Sequence, residues 1–294
     1  MAKTLNIYKR IELLRKQFNN LAYKKDSLLQ IIGETEISEQ VYNSNAIENS
    51  TLSLGETDKI LLQIDLDRYI SERELFEAKN LARVVEYIWT KATQEELKQN
   101  IILLLHKMLI SNIRDDIAGR FRNENEWVRV GTHIACDPSQ IIKNIDEMFI
   151  QYYSTPTEHI IKRIALFHLK FETIHPFVDG NGRIGRVLNN YLLIREGYVP
   201  INIQFVDRKK YYEAFDEFNT ENNTAVMEEI IGKALSNSYH KRIAYLEGNP
   251  IISLNEYGKK YKISHSNLIN KAKRQSINAF TEKGIWKIGD ESND

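Results

Sequence analysis

Very little in this chain of 294 residues breaks a helix. It has five prolines and thirteen glycines, and long stretches free of both favour helices over a many-turned β fold. A single cysteine, Cys136, excludes an internal disulfide, and a reducing cytoplasm is the simplest compartment for it. No apolar run approaches the eighteen residues of a membrane span, and the first residues, MAKTLNIYKRIELL, lack the continuous apolar stretch of a secretion signal. No membrane partner is expected. An excess of one charge is also missing, because forty Lys and Arg face forty Asp and Glu. Nucleic acid would therefore have to be met by a local patch. Internal repeats and low-complexity segments are absent. What remains is 42% hydrophobic and 27% charged, enough apolar matter for a core in one large domain or two smaller ones.

Apolar residues at helical spacing predict helices over 5–32, 38–47, 60–66, 72–92, 95–113 and 139–152. Ile160, Ile164, Phe167, Phe171 and Ile174 form one stripe of a helix over 158–174, which Pro176 stops. After a loop, Ile184, Val187, Leu188, Tyr191 and Leu192 mark the buried face of the next helix, and Gly197 ends it. A long helical region over 208–246 follows. Between Gly119 and Gly131 the run Trp127-Val128-Arg129-Val130 alternates at period two, which predicts a short strand pair or flap. Gly248-Asn249-Pro250 is the strongest boundary in the chain. Beyond it, Ser253 to Glu256 is a capping box opening a short helix, a second helix runs through Lys273, and a hairpin closes the sequence. Two short helices and a hairpin make a winged helix-turn-helix pattern. The fold class is mainly α with a small β-hairpin flap, divided into 1–50, 51–247 and 250–294.

The chemistry is concentrated between the two central helices, in His175-Pro-Phe-Val-Asp-Gly-Asn-Gly-Arg-Ile-Gly-Arg186. A loop that feeds a helix N-terminus is an anion site, because unpaired N–H groups and the helix dipole face the same point. Gly180 and Gly182 allow close backbone approach, and Asn181 suits left-handed geometry with an amide to offer a phosphate. Arg183 and Arg186, three apart, reach the same side with forked donors. Asp179 is a hard oxygen ligand of the kind magnesium takes together with substrate phosphates. His175 titrates near neutrality and suits a general base. Without a Gly-Lys-Ser/Thr ending, the stretch does not read as a P-loop.

These twelve residues resemble the signature of the Fic (filamentation induced by cyclic AMP) family at every defining position. The resemblance extends over roughly 38–245 and takes in Ala118 to Arg122, Tyr211-Tyr212 and Asn219. It implies a Fic-type helical core, followed here by the winged-helix segment. It also implies an adenylyltransferase that moves AMP from ATP to a hydroxyl side chain of a target protein, itself included. His175 would deprotonate that hydroxyl, Asp179 would hold Mg²⁺, and Phe177, Gly180, Asn181, Gly182, Arg183 and Arg186 would hold the nucleotide. Tyr212 and Asn219 would line the adenine pocket. Trp127, Val128, Arg129 and Val130 would dock a target segment as an added strand. A death-on-curing type phosphotransferase lacks the second arginine, so Arg186 argues against it.

Ser44-Asn-Ala-Ile-Glu48-Asn49 resembles the inhibitory helix that precedes the core in one subclass. There Glu48 would pair with Arg186 and occupy the donors a γ-phosphate needs. The same glutamate can orient a water, so removal of AMP is an alternative direction. In 250–294, eight Lys or Arg stand against five Asp or Glu, with Lys271, Lys273 and Arg274 on the second helix and Lys283 and Lys287 on the wing. This makes duplex DNA a candidate partner and a nucleotide-sensing DNA-binding regulator a second alternative. A second copy of the chain, as a homodimer, is a further candidate.

Overall fold

The computed structural model describes residues 2–131 and 133–290. Met1 and residues 291–294, at the ends of the expected segments 1–50 and 250–294, lie outside it. The helices are α1 (Ala2–Ala22), α2 (Asp26–Ile47), α3 (Leu54–Leu61), α4 (Glu72–Lys91), α5 (Gln99–Ile110), α6 (Ile141–Ser154), α7 (Ile160–Ile174), α8 (Asn181–Arg195), α9 (Arg208–Glu221), α10 (Ala225–Glu247), α11 (Leu254–Tyr261) and α12 (His265–Lys273). Five short strands, β1 (Arg129–Val130), β2 (His133–Ile134), β3 (Ile251–Ser253), β4 (Ala279–Glu282) and β5 (Ile285–Gly289), complete the described fold. The chain forms two compact units. One is Ile37–Glu228, and the other joins the residues up to Glu36 with those from Glu229 onward.

In the Ile37–Glu228 unit, α7 packs on α8, with α6 on the outer side of α7 and α4 and α5 against α8. Ile161, Ile164, Leu169 and Phe171 of α7 and Ile184, Leu188, Leu192 and Leu193 of α8 are fully buried. Truncating Phe171 to alanine would cost roughly 3–5 kcal/mol. α8 is buried nearly all round, polar residues included, and this places Arg183, Arg186, Asn189 and Asn190 in the interior. Gly197, at φ +74°, ends α8 as expected, with the Tyr198 N–H donating to the Leu193 carbonyl. Ser53 and Glu56 form a capping box on α3, and Ser71 caps α4.

Two expected helices divide where sequence gave no Gly or Pro. The 5–32 stripe breaks at Lys24, which takes φ +59°, and α2 restarts at Asp26, whose charge favours a helix N-terminus. The expected 38–47 helix is the last part of this longer α2. The 208–246 region breaks at Asn222, left-handed at φ +53°, because asparagine tolerates that geometry as a helix stop.

In the second unit, α11 and α12 lie beside a three-stranded antiparallel sheet in the order β3-β5-β4. Leu254, Leu268, Ala272, Ala279 and Ile288 form its core, with Tyr257 and Trp286 packed on it. The Ser253–Glu256 capping box opens α11 as expected. The short β3, pairing Ile252 with Ile288, has no advance signal in three residues. No helix among the described residues is long and apolar enough to cross a membrane.

Candidate active site

α7 ends on His175, which adopts φ +49° and donates its N–H to the Phe171 carbonyl. Such geometry is uncommon outside glycine, though histidine is enriched there. Pro176 cannot continue the helix, and the loop turns away. Four contacts then fix it. The Phe177 ring is fully buried and stacks on His106 of α5, with centroids 3.7 Å apart and planes 3° from parallel. Asn181 accepts from the Phe177 N–H at 2.9 Å and donates to the Phe177 carbonyl at 2.8 Å. The Gly119 N–H donates to His106 Nδ1 at 3.0 Å, so Nε2 carries the proton and donates to the Asp179 carbonyl, also at 3.0 Å. Burial lowers the His106 pKa to about 4, which keeps this tautomer pair neutral. Finally, the buried Arg122 guanidinium donates to the carbonyls of His175, Glu126 and Cys136 at 2.8–2.9 Å.

One expectation changes here. Asn181 is not the left-handed residue, because Gly180 takes that role at φ +86°. The Asn181 amide bonds Phe177 on both sides and so shapes the loop, with one of its two N–H donors used there. Phe177, fully enclosed, anchors the loop.

The first turn of α8 presents N–H groups that have no partner within the helix. Glu48, in the turn just after α2, comes down on this first turn of α8. A β-carbon on Gly182 would lie 2.1 Å from Glu48 Oε1, so only glycine admits the carboxylate. The same oxygen accepts from Arg186 Nη2 at 3.0 Å. Ser44 adds its hydroxyl to Arg186 Nε at 2.9 Å and its carbonyl to Nη2 at 2.8 Å. Arg186 Nη1 reaches the Tyr211 hydroxyl at 3.3 Å, and that hydroxyl lies 2.7 Å from Nε2 of the buried His168. Burial alone would lower the Arg186 pKa, but Tyr211 and Glu48 outweigh it and hold the group charged. Ser44 and Glu48, expected from the resemblance to an inhibitory helix, meet Arg186 in space.

Arg183 turns the other way, so the two arginines do not reach one side as expected. It pairs with Glu77 of α4 at 3.0 Å and with Asp179 at 3.1 Å. Arg73 of α4 donates to the second Asp179 oxygen at 2.6 Å. Burial raises the Asp179 pKa, Arg183 and Arg73 lower it more, and the net shift is below the usual carboxylate range. The carboxylate is ionised and about a quarter exposed, with 28% of its side chain accessible. That fits a magnesium ligand sharing its ion with phosphates, provided Arg73 yields its place. Among the described residues, no three His, Cys, Asp or Glu side chains gather into a metal cluster.

Further from the loop, the Tyr212 hydroxyl meets the Ile47 carbonyl at 3.3 Å, with Arg208 over its ring, while Asn219 accepts from Thr173 at 3.4 Å. The two lie seven residues apart on one face of α9. In the flap, β1 pairs antiparallel with β2, Arg129 opposite Ile134. Trp127 and Val128 precede the strand, and the Trp127 ring is largely exposed. Sequence reasoning missed Arg73, Glu77, His106, His168 and Glu172, and named Arg122 and Tyr211 without a role. For His106 and His168 there was one signal, a lone histidine inside an apolar helical run.

Residues 96–193 match the model of the Fic/DOC family. The chain is 32% identical over 185 residues to the protein adenylyltransferase Fic of Nematostella vectensis, covering 62% of this chain and 43% of that protein. It is 30% identical over 211 residues to the protein adenylyltransferase fic-1 of Caenorhabditis elegans, covering 70% and 41%. The chain thus spans about two fifths of the length of the curated relatives it matches. A solved fragment of Fic-1 from C. elegans superposes with a TM-score of 0.73 at 26% identity, over 84% of this chain and 74% of that one. A Fic family protein from Desulfovibrio desulfuricans G20 matches the whole chain and 98% of its own, with a TM-score of 0.70 at 18% identity, a likeness of fold.

Proposed function

We propose that this chain, which carries a Fic/DOC-family domain at residues 96–193, transfers AMP from ATP to a hydroxyl side chain of a target protein and is restrained by Glu48. The observation that carries the reading is Glu48 itself, whose carboxylate lies on the first turn of α8 and on Arg186. An anion site filled by the protein's own anion is a site shaped for an external one.

In the reaction, the α8 N-terminus and Arg186 bind the polyphosphate once Glu48 withdraws. His175 accepts the proton of the target hydroxyl, whose oxygen bonds to the α-phosphorus as the bond to pyrophosphate breaks. A magnesium ion held by Asp179 would neutralise charge on the departing pyrophosphate. Positioning and charge stabilisation carry most of such a rate, and a general base adds about 10²–10⁴-fold. Tyr212 and Asn219 face the adenine, and the flap of Trp127 to Val130 presents an edge to which the target adds as a strand. Self-modification and a reducing, cytoplasmic setting belong to the same reading. In it, residues 1–50 regulate, 51–247 catalyse, and 250–294 form a winged-helix module. The exposed Lys271 and Lys273 on α12, Arg274 at its end and Lys283 on the wing favour duplex DNA as that module's partner.

Incubation with labelled ATP and Mg²⁺ tests the enzyme. Glu48→Gly should label itself or a target strongly, wild type weakly, and the Glu48→Gly/His175→Ala double variant not at all while still binding ATP. Equal labelling with and without His175 would overturn the assignment of the base.

A further inference from the structure

We infer that Glu172 is a positioning residue for His175, its carboxyl holding the Nδ1 edge of the imidazole so that Nε2 faces the target hydroxyl. The inference rests on the base role given to His175 above. Glu172 sits three residues earlier on α7, and its Oε2 lies 3.8 Å from His175 Nδ1. The pocket around it is built for a carboxyl. A β-carbon on Gly185 would stand 2.4 Å from Glu172 Oε1, so α8 presents a glycine where this side chain enters. Yet Oε1 is buried without a hydrogen-bond partner. A carboxyl kept only for structure would have both oxygens satisfied, because an idle buried acceptor is costly. Its other oxygen, Oε2, stands 3.8 Å from His175 Nδ1, so a small movement of the ring, or its gain of a proton, brings the two into a hydrogen bond.

The groups facing Glu172 are Glu48 just after α2, His168 on α7, His175 at its end, Arg186 from α8 and Tyr211 from α9. Burial first, and the like charge of Glu48 second, raise its pKa to about 8 against the pull of Arg186. With Glu48 seated, the carboxyl therefore keeps a proton at neutral pH. Withdrawal of Glu48 removes the repelling charge and moves Glu172 toward its ionised form. The carboxylate then accepts the Nδ1–H and makes Nε2 the better base. Glu48 thus restrains the site twice, at the phosphate donors and, through Glu172, at the base.

The full chain carrying Glu48→Gly is the background for the test, with Glu172→Gln and Glu172→Asp added to it. Glu172→Gln should lower kcat about ten-fold or more, shift the acid limb of the kcat–pH profile to lower pH, and leave KM for ATP within about two-fold. Glu172→Asp should restore part of both effects. An unchanged acid limb in Glu172→Gln overturns the inference, and so does equal loss of ATP binding and turnover. The His175 ring is titrated by NMR in the same proteins, with a shift toward lower pH expected in Glu172→Gln and no shift overturning the coupling. That readout needs no turnover, so a protein that transfers no AMP would sink the functional reading while still deciding this one. If Glu172→Gln fails to fold, the Glu172→Asp titration decides alone, and a ring titrating as in the Glu48→Gly parent overturns the inference.

Discussion

Glu48 and Gly182 share one space: the glutamate carboxylate oxygen lies 2.1 Å from the point where a β-carbon of residue 182 would stand. A methyl group there would expel Glu48 from the turn, though not to the benefit of a ligand. Gly182→Ala should weaken Mg–ATP binding both alone and combined with Glu48→Gly. Glu48→Gly alone should strengthen it by about ten-fold, or 1.4 kcal/mol. Calorimetric titration of the four proteins checks this. A Gly182→Ala protein that binds as tightly as Glu48→Gly would show that the phosphate does not use this space.

In the proposed reading, Arg73 stands where the magnesium ion would. Its guanidinium holds Asp179 at 2.6 Å while half exposed, with 53% of its side chain accessible. A pair that open adds about 0–1 kcal/mol to stability, so Arg73→Ala should leave the melting temperature nearly unmoved. It should also vacate a carboxylate oxygen and remove a repelling charge. The apparent Mg²⁺ affinity in the presence of ATP is expected to rise several-fold, read by titrating the metal at fixed nucleotide. Weaker binding in the variant would mean that Arg73 serves the nucleotide and does not compete with the metal.

Arg122 is a clamp between the flap and the 175–186 loop. Its fork spans the carbonyls of His175, Glu126 and Cys136, and its own N–H donates to Pro176. Burial holds its pKa below the usual arginine value, which reflects how thoroughly the group is desolvated. Lysine keeps the charge but cannot span three acceptors, and orphaned carbonyls cost about 1–3 kcal/mol each. Arg122→Lys should lower stability by about 2–5 kcal/mol and reduce turnover more than ATP binding. Wild-type melting and kcat in that variant would remove Arg122 from the loop's support.

The 175–186 loop was legible because its residue types stand at adjacent positions, and Ser44 and Glu48 were legible through their resemblance to an inhibitory helix. The supporting residues were not. Arg73, Glu77, His106 and Arg122 come from segments 53 to 106 positions away from their loop partners, and each reads alone as an ordinary helix charge or a lone polar residue. Tyr211 and Tyr212 are neighbours about 100° apart on α9. Sequence offered both, and only burial shows that Tyr211 is the one holding Arg186. The break at Lys24 was invisible for a related reason, since a lysine in left-handed geometry is stabilised by its surroundings and carries no local signal.

Opposing titrations set a stability optimum for the Ile37–Glu228 unit. Glu172 has its pKa raised by burial and by Glu48 to about 8. Between the ordinary 4.5 and 8, the folded protein keeps a proton that the unfolded chain has released, so stability falls as pH rises through that window. His106 and His168 act in reverse. Burial lowers them to about 4 and, with help from Arg186, about 3. Below 6.5 the unfolded chain binds protons that the fold refuses, so their contribution, complete above 6.5, is lost as pH drops toward 4. Two protons against one make the acid side steeper, which places the maximum near pH 6.5. Thermal unfolding across pH 4.5–9 should show that maximum. Glu172→Gln should raise the melting temperature by several degrees at pH 8 and leave the acid limb in place. A Glu172→Gln curve parallel to wild type above pH 7 would mean that the native carboxyl is already ionised.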